Sequence, residues 1–342
     1  MRSNPDPSPS SPSLLDTVLL LALPASGKSE IRRYLGTLTP EQCRTDMHMG
    51  PVVQLDDYPY VDLMRRVSRA LRAQGENGVF FDSDLLPMKE PLDWGALIEL
   101  LNEDYAAVLE RSRVSPESAG AWMLGRFDWA RAQVGAKPAF HDLSPRVRER
   151  LIAEIEPACR ELVEHRNATI PGSLRGRTVV IEFARGGPEG ATMPLQPPVG
   201  YGYSLSRLSD DILAGASILY VWVTPEESRR KNEARSPGAA DDSVLHHTVP
   251  PKVMRGDYGC DDIAWLIERS DRPDTVKLQV RGRTHHLPIA RFDNRVDRTS
   301  FVRDEQAAWP PEQVRALHDG LSEAFGRLVR ARDASALAPK PA

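Results

Sequence analysis

Residues 17 to 36, TVLLLALPASGKSEIRRYLG, limit what this chain can become more than any other stretch. An apolar run, Val18 to Leu23, stops at Pro24 and passes into Ala25-Ser26-Gly27-Lys28-Ser29. Ile31, Tyr34 and Leu35 then mark the inner face of a short helix. The order is strand, loop, helix. Residues 22 to 29 fit the phosphate-binding pattern G-x-x-x-x-G-K-[ST] except at the first position, where Ala22 replaces glycine. The chemistry of the pattern survives that change. Pro24 to Glu30 form the candidate phosphate-binding stretch, in which backbone N–H groups around Gly27 can cradle phosphates at a helix N-terminus. Lys28 can reach β- and γ-phosphates, and Ser29 can ligate Mg²⁺.

The sequence of 342 residues carries 7 lysines against 37 arginines, so a lysine in the loop departs from the chain's habit. A compact ammonium fits a phosphate-wrapped loop where a planar guanidinium would not. A net charge of -4 and a pI near 6.1 argue against a nucleic-acid-coating protein. Cys43, Cys159 and Cys260 lie far apart, which suggests free thiols in a reducing cytoplasm. No apolar run approaches the roughly 20 residues that span a bilayer. The expected protein has no membrane partner and a cytoplasmic location.

The first 13 residues alternate proline with serine and predict a disordered arm, and 336–342 a disordered tail. Between them lies one domain, 14–335. Pro51 to Asp57 predicts a second strand ending in carboxylates, and Tyr60 to Ala73 a helix. An inserted helical region, 82–170, holds expected helices at 94–111, 116–134 and 146–166, two of them opened by Ser-Pro pairs. Thr178 to Ala184 predicts a third strand, 204–213 a helix, and Ser217 to Val223 a fourth strand. A lid and hairpin region, 225–290, contains a charged helix from Glu226 to Arg235, a loop at 236–242, a short helix at 261–268, and a hairpin of Val276–Val280 with Thr284–Arg291. Residues 311–332 form a last amphipathic helix. Strands alternating with helices imply an α/β fold whose mostly parallel sheet is covered on both faces, with ligands at the carboxyl ends of its strands.

Phosphoryl transfer needs a phosphate cradle, a metal, a carboxylate for the attacking hydroxyl, and cations for the moving charge. Asp56 and Asp57 are candidates for orienting or deprotonating an acceptor hydroxyl, with Asp57 also a metal ligand. Glu182, ending VVIEFA, is a second candidate for the metal. Lys231 and Arg235 are alike in charge at i,i+4, an arrangement that favours an anion between them and predicts a lid over the phosphates. His246-His247 and His285-His286 keep no ligand spacing with cysteine or carboxylate, which argues against a metal site there. Trp122, Trp129 and the Tyr258–Trp265 stretch are expected in the core or on a substrate wall.

With ALPASGKS, LDDYPY, VVIEFARGG and YVWVTPEESRRKNEAR in this order, the chain resembles the P-loop kinases, nearest the uridine kinase, phosphoribulokinase and glycerate kinase group. The resemblance implies a three-layer α/β/α P-loop NTPase fold with a five-stranded sheet in the order 2-3-1-4-5. It implies Asp56 as the base, Asn294 near the adenine, ATP and Mg²⁺ as cofactors, and a small-molecule acceptor such as a nucleoside, sugar or hydroxy acid. Pro91-Leu92-Asp93-Trp94 is similar to a segment beside the acceptor in uridine kinases. A kinase then needs a second pocket facing Lys28, lined by Asp56 and residues near Asp93 and Arg185. A nucleotide-binding regulatory module, the alternative, could have that side filled by protein.

Overall fold

The computed structural model describes residues 13–234 and 248–337. The expected arm at 1–12, Arg235, the 236–242 loop, His246-His247 and 338–342 lie outside the described residues.

β1 (Thr17–Leu21) is buried on both sides, as its unbroken apolar run requires. Beyond the 22–27 loop, α1 (Lys28–Leu35) and α2 (Pro40–Thr45) lead to β2 (Val52–Asp56) and α3 (Tyr58–Ala73). α4 (Asp93–Glu110), α5 (Ala119–Gln133) and α6 (Pro145–Thr169) make up the helical region. β3 (Thr178–Phe183), α7 (Gly200–Ser206), α8 (Asp210–Gly215), β4 (Ala216–Trp222) and α9 (Pro225–Glu233) follow. The chain ends with α10 (Pro251–Gly256), α11 (Ile263–Glu268), β5 (Thr275–Val280), β6 (Arg283–Asp293) and α12 (Pro311–Leu337).

The sheet order is β2-β3-β1-β4-β6-β5, with β5 antiparallel to β6 and every other pairing parallel. The five parallel strands follow the expected order, but the strand count is six. The hairpin turn explains the addition. Arg281 and Gly282 have φ of 48° and 76°, the two-residue turn whose twist matches paired strands, so β5 folds back onto β6 and becomes the sheet edge.

Strand alternation divides the core between the two faces. Leu19, Leu21, Ile181, Phe183, Ile218 and Ile289 face one way, onto α4, α7, α8 and α11. Val18, Leu20, Val180, Leu219 and Phe292 face the other, onto α1 and α12. A third cluster joins α3 to α4, α5 and α6 around Met64, Leu97, Phe127 and Ile155, so the helical region has a core of its own. Several boundaries differ from expectation. The helix expected at 204–213 is two short ones, because Ser209 caps a new start by accepting from the Ile212 N–H. α2 was not expected; Thr39 and Gln42 form a reciprocal capping box that sustains it. α12 runs on to Leu337, into the segment expected to be a tail.

Candidate functional site

The 22–27 loop leaves the centre of the sheet and is held from three sides. Ser26 Oγ donates to the Leu23 carbonyl (2.6 Å), Ser228 Oγ of α9 donates to the Pro24 carbonyl (2.7 Å), and Asn294 Nδ2, just past β6, donates to the Ser26 carbonyl (2.8 Å). Ala25 and Gly27 both have positive φ, 56° and 104°, which curls the backbone into a concavity. Gly27 is doubly constrained: a Cβ there would come within 2.5 Å of Thr299 Oγ1 and 2.8 Å of Asn294 Nδ2. Ala22 has no such constraint. It continues the buried strand, and its carbonyl accepts from Lys28 Nζ at 3.1 Å. The first N–H groups of α1 lack intrahelical acceptors by geometry and carry the positive end of the helix dipole.

The loop opens into a cavity of about 310 Å³ lined by Pro24, Ala25, Ser26, Lys28 and Ser29. Asp56, Asp57 and Glu182 share its wall. Asp56 and Glu182 are register partners on adjacent parallel strands, which brings their carboxylates side by side. One residue that sequence reasoning missed bridges them. Arg32 Nη1 lies 3.1 Å from Asp56 Oδ2 and 2.9 Å from Glu182 Oε2. Its signal was only its place one turn after Lys28 on the same helix face, easily lost among so many arginines. The Glu182 contact is an ion pair without hydrogen-bond alignment, so that buried oxygen has no aligned donor among the described residues.

Burial sets the electrostatics. It pushes Glu182 up to about 7, reinforced by Asp56 and opposed by Lys28 and Arg32. Burial also lowers Lys28, while Glu182, Asp56 and Asp57 pull it back. Asp57 is raised by burial, with Arg185 the main opposing charge.

Several candidates stand elsewhere than expected. The Asp57 carboxylate is occupied by Arg185, whose Nη1 lies 2.6 Å away in a fully buried pair, so it reaches the cavity wall as half of an ion pair rather than as a free ligand. Arg185 also stacks over Trp94 at 5.0 Å and donates to the Trp94 carbonyl at 3.2 Å. Glu30 turns away from the loop to Arg303 Nε, 2.6 Å distant. Asn294 is buried behind the loop; besides Ser26 it donates to Thr299 Oγ1, and it accepts from the Arg298 N–H, so it shapes the cradle rather than facing a base. Lys231 is buried and paired within the protein rather than set over the loop as a lid: Nζ donates to the Asn294 carbonyl and lies 3.2 Å from Asp297. Asp93 pairs with Arg131 inside the helical core, and its neighbour Trp94 lines the cavity instead.

The cavity continues past Asp56 along α3. Tyr58, Val61, Asp62 and Arg65, spaced i, i+3, i+4 and i+7, line it from α3. Trp94, Phe183, Val253 and Tyr258 line it as well. Among the described residues no group of three or more His, Cys, Asp or Glu side chains is arranged to hold a metal. No helix of the described residues is long and apolar enough to cross a membrane. No protein-family model, curated protein or solved structure matches this chain.

Proposed function

We propose that this chain is a P-loop kinase that moves the γ-phosphoryl group of ATP to a hydroxyl of a small metabolite, with Mg²⁺. The observation that carries this reading is one continuous cavity. Its lining includes the cradle residues Ser26, Lys28 and Ser29 together with Asp56 and Glu182, and also a set of residues from α3 with Trp94 and Tyr258, which we read as a second compartment for the acceptor. A nucleotide and an acceptor could thus meet across Asp56. The strand order and the position of the loop between sheet and α1 support the same reading.

The α1 N-terminus and the loop amides would bind phosphate oxygens, and Lys28, already desolvated among carboxylates, would regain a stabilised charge beside them. Ser29 and Glu182 fit a metal site of few protein ligands, since Glu182 offers a buried oxygen with no aligned donor. Bound there with phosphate oxygens, Mg²⁺ would offset their negative charge. Asp56, fixed by the Tyr58 N–H at 2.9 Å and by Arg32, would orient the acceptor hydroxyl and take its proton. The new bond joins the acceptor oxygen to γ-phosphorus, the bond from γ-phosphorus to the bridging oxygen breaks, and ADP leaves.

Calorimetric titration with ATP and Mg²⁺ tests the reading directly; absence of binding refutes it. Asp56→Asn is expected to keep ATP affinity and lose transfer by about 10²-fold or more, and undiminished turnover would remove Asp56 as the base. ATP consumption in an acceptor screen should vanish in Lys28→Ala. Hydrolysis or binding with no acceptor response would point to a regulatory nucleotide switch.

A further inference from the structure

The second compartment has a chemistry of its own, and it narrows the acceptor. Its walls are mainly apolar or aromatic: Val61, Trp94, Phe183, Val249, Val253 and Tyr258. Trp94 and Tyr258 meet edge to face with ring centroids 5.7 Å apart, and Arg185 beneath Trp94 holds the indole in place. A polyol would lose water from several hydroxyls against these walls and recover few hydrogen bonds. A flat ring loses little and gains aromatic contact.

Of the charged side chains contributed by α3 and Asp84, the carboxylates already hold ion pairs, while Arg65, whose charge acts on the buried Asp257 from beyond ion-pair distance, holds none among the described residues. Asp62 pairs with Arg66 at 2.6 Å, and Asp84 with Arg69 at 3.0 Å and Arg72 at 3.1 Å. Arg65 lies one turn beyond Val61 and Asp62 on the same face of α3. Its guanidinium stacks on Phe81 at 4.1 Å, and Nη1 donates to the Asp84 carbonyl at 2.9 Å. Those two contacts fix the plane of the fork and leave donors on its other edge. Such a fixed, half-buried guanidinium suits a carboxylate.

We propose that the acceptor is an alcohol carried on a flat apolar ring that also bears a carboxylate, the ring lying against Trp94 and Tyr258 and the carboxylate on Arg65. This rests on the kinase reading for the fate of the alcohol, but the ring-and-carboxylate site can be tested by binding alone. Arg65 is then a specificity residue on α3, nine residues beyond the hydroxyl-orienting Asp56 that ends β2.

The test uses four probes on the full chain: 4-(hydroxymethyl)benzoate, 4-(hydroxymethyl)benzamide, glycerate and ribose. Calorimetry is run with and without nucleotide, and ATP consumption is followed in parallel. The benzoate is expected to bind best, with the isosteric amide weaker by roughly tenfold or more, the loss of one charge-assisted contact. Arg65→Gln should collapse that preference to near unity while leaving ATP affinity unchanged, which also certifies that the variant is folded. Trp94→Leu should weaken both ring probes together. Preference for glycerate or ribose, failure of both ring probes to bind, or an undiminished benzoate preference in Arg65→Gln would overturn the inference. Loss of the kinase reading has a separate signature, the absence of ATP binding, and binding of the ring probes without nucleotide still decides the present question.

Discussion

Replacing Arg32 by methionine removes the bridging cation while keeping most of its apolar stem, and it should expose how the two strand-end carboxylates coexist. In the native protein Glu182 is raised by burial to about 7, above an ordinary value of about 4.3. A carboxyl raised on folding contributes stability that is fully present below its unfolded value and is lost as pH rises through its folded one. Arg32 opposes the rise, so its loss moves Glu182 still higher and extends that decline to more alkaline pH. Breaking a fully buried ion pair costs about 3–5 kcal/mol. The Arg32 side chain is 29% exposed, so about 2–3 kcal/mol is the scaled figure when both carboxylates are ionised. At pH 5.5 Glu182 holds its proton and only Asp56 loses a partner, which leaves a cost of about 1 kcal/mol or less. Urea unfolding of wild type and Arg32→Met at pH 5.5, 7.0 and 8.5 should therefore show a stability difference that grows with pH. A difference constant across the range, or one that shrinks toward pH 8.5, would refute the argument that Arg32 holds the pair.

Gly27→Ala forces a side chain into positive φ and against Thr299 and Asn294; a cost of about 1–2 kcal/mol from the backbone alone is expected in thermal melts, with weaker ATP binding by calorimetry. Asp57→Ala strands the buried Arg185 and should cost about 3–5 kcal/mol by denaturant unfolding, whereas Asp57→Ala with Arg185→Met should recover much of that. Asn294→Ala leaves the Ser26 carbonyl and the Arg298 N–H without their partner, an expected loss of about 1–3 kcal/mol; faster hydrogen exchange in residues 24–28 would accompany it.

The parts legible in the sequence are those encoded locally. Buried parallel strands need apolar residues on both faces, so β1, β3 and β4 stand out as runs, and the carboxylates matter because they end such runs. Side chains whose partners are distant in sequence were misread. Asn294, expected near the adenine, and Lys231, expected over the phosphates, are both fixed by the 294–299 segment, which carries no regular pattern to announce itself. Arg32 shows the converse: its partners come from two strands 126 positions apart, and nothing in α1 alone tells a surface arginine from a bridging one. The hairpin was legible as a hairpin, but which arm joins the parallel sheet depends on β4, so the sixth strand was not counted.

The bond from Asn294 to the Ser26 carbonyl spans 268 positions of the chain. During synthesis the loop sequence emerges well before the side chains that set its curvature, Asn294 and Thr299. Domains tend to fold as units while they are made, and here the unit cannot close until β6 has been delivered beside β4. A chain released before residue 294 would keep the loop's letters without the bond from Asn294 that helps to shape it.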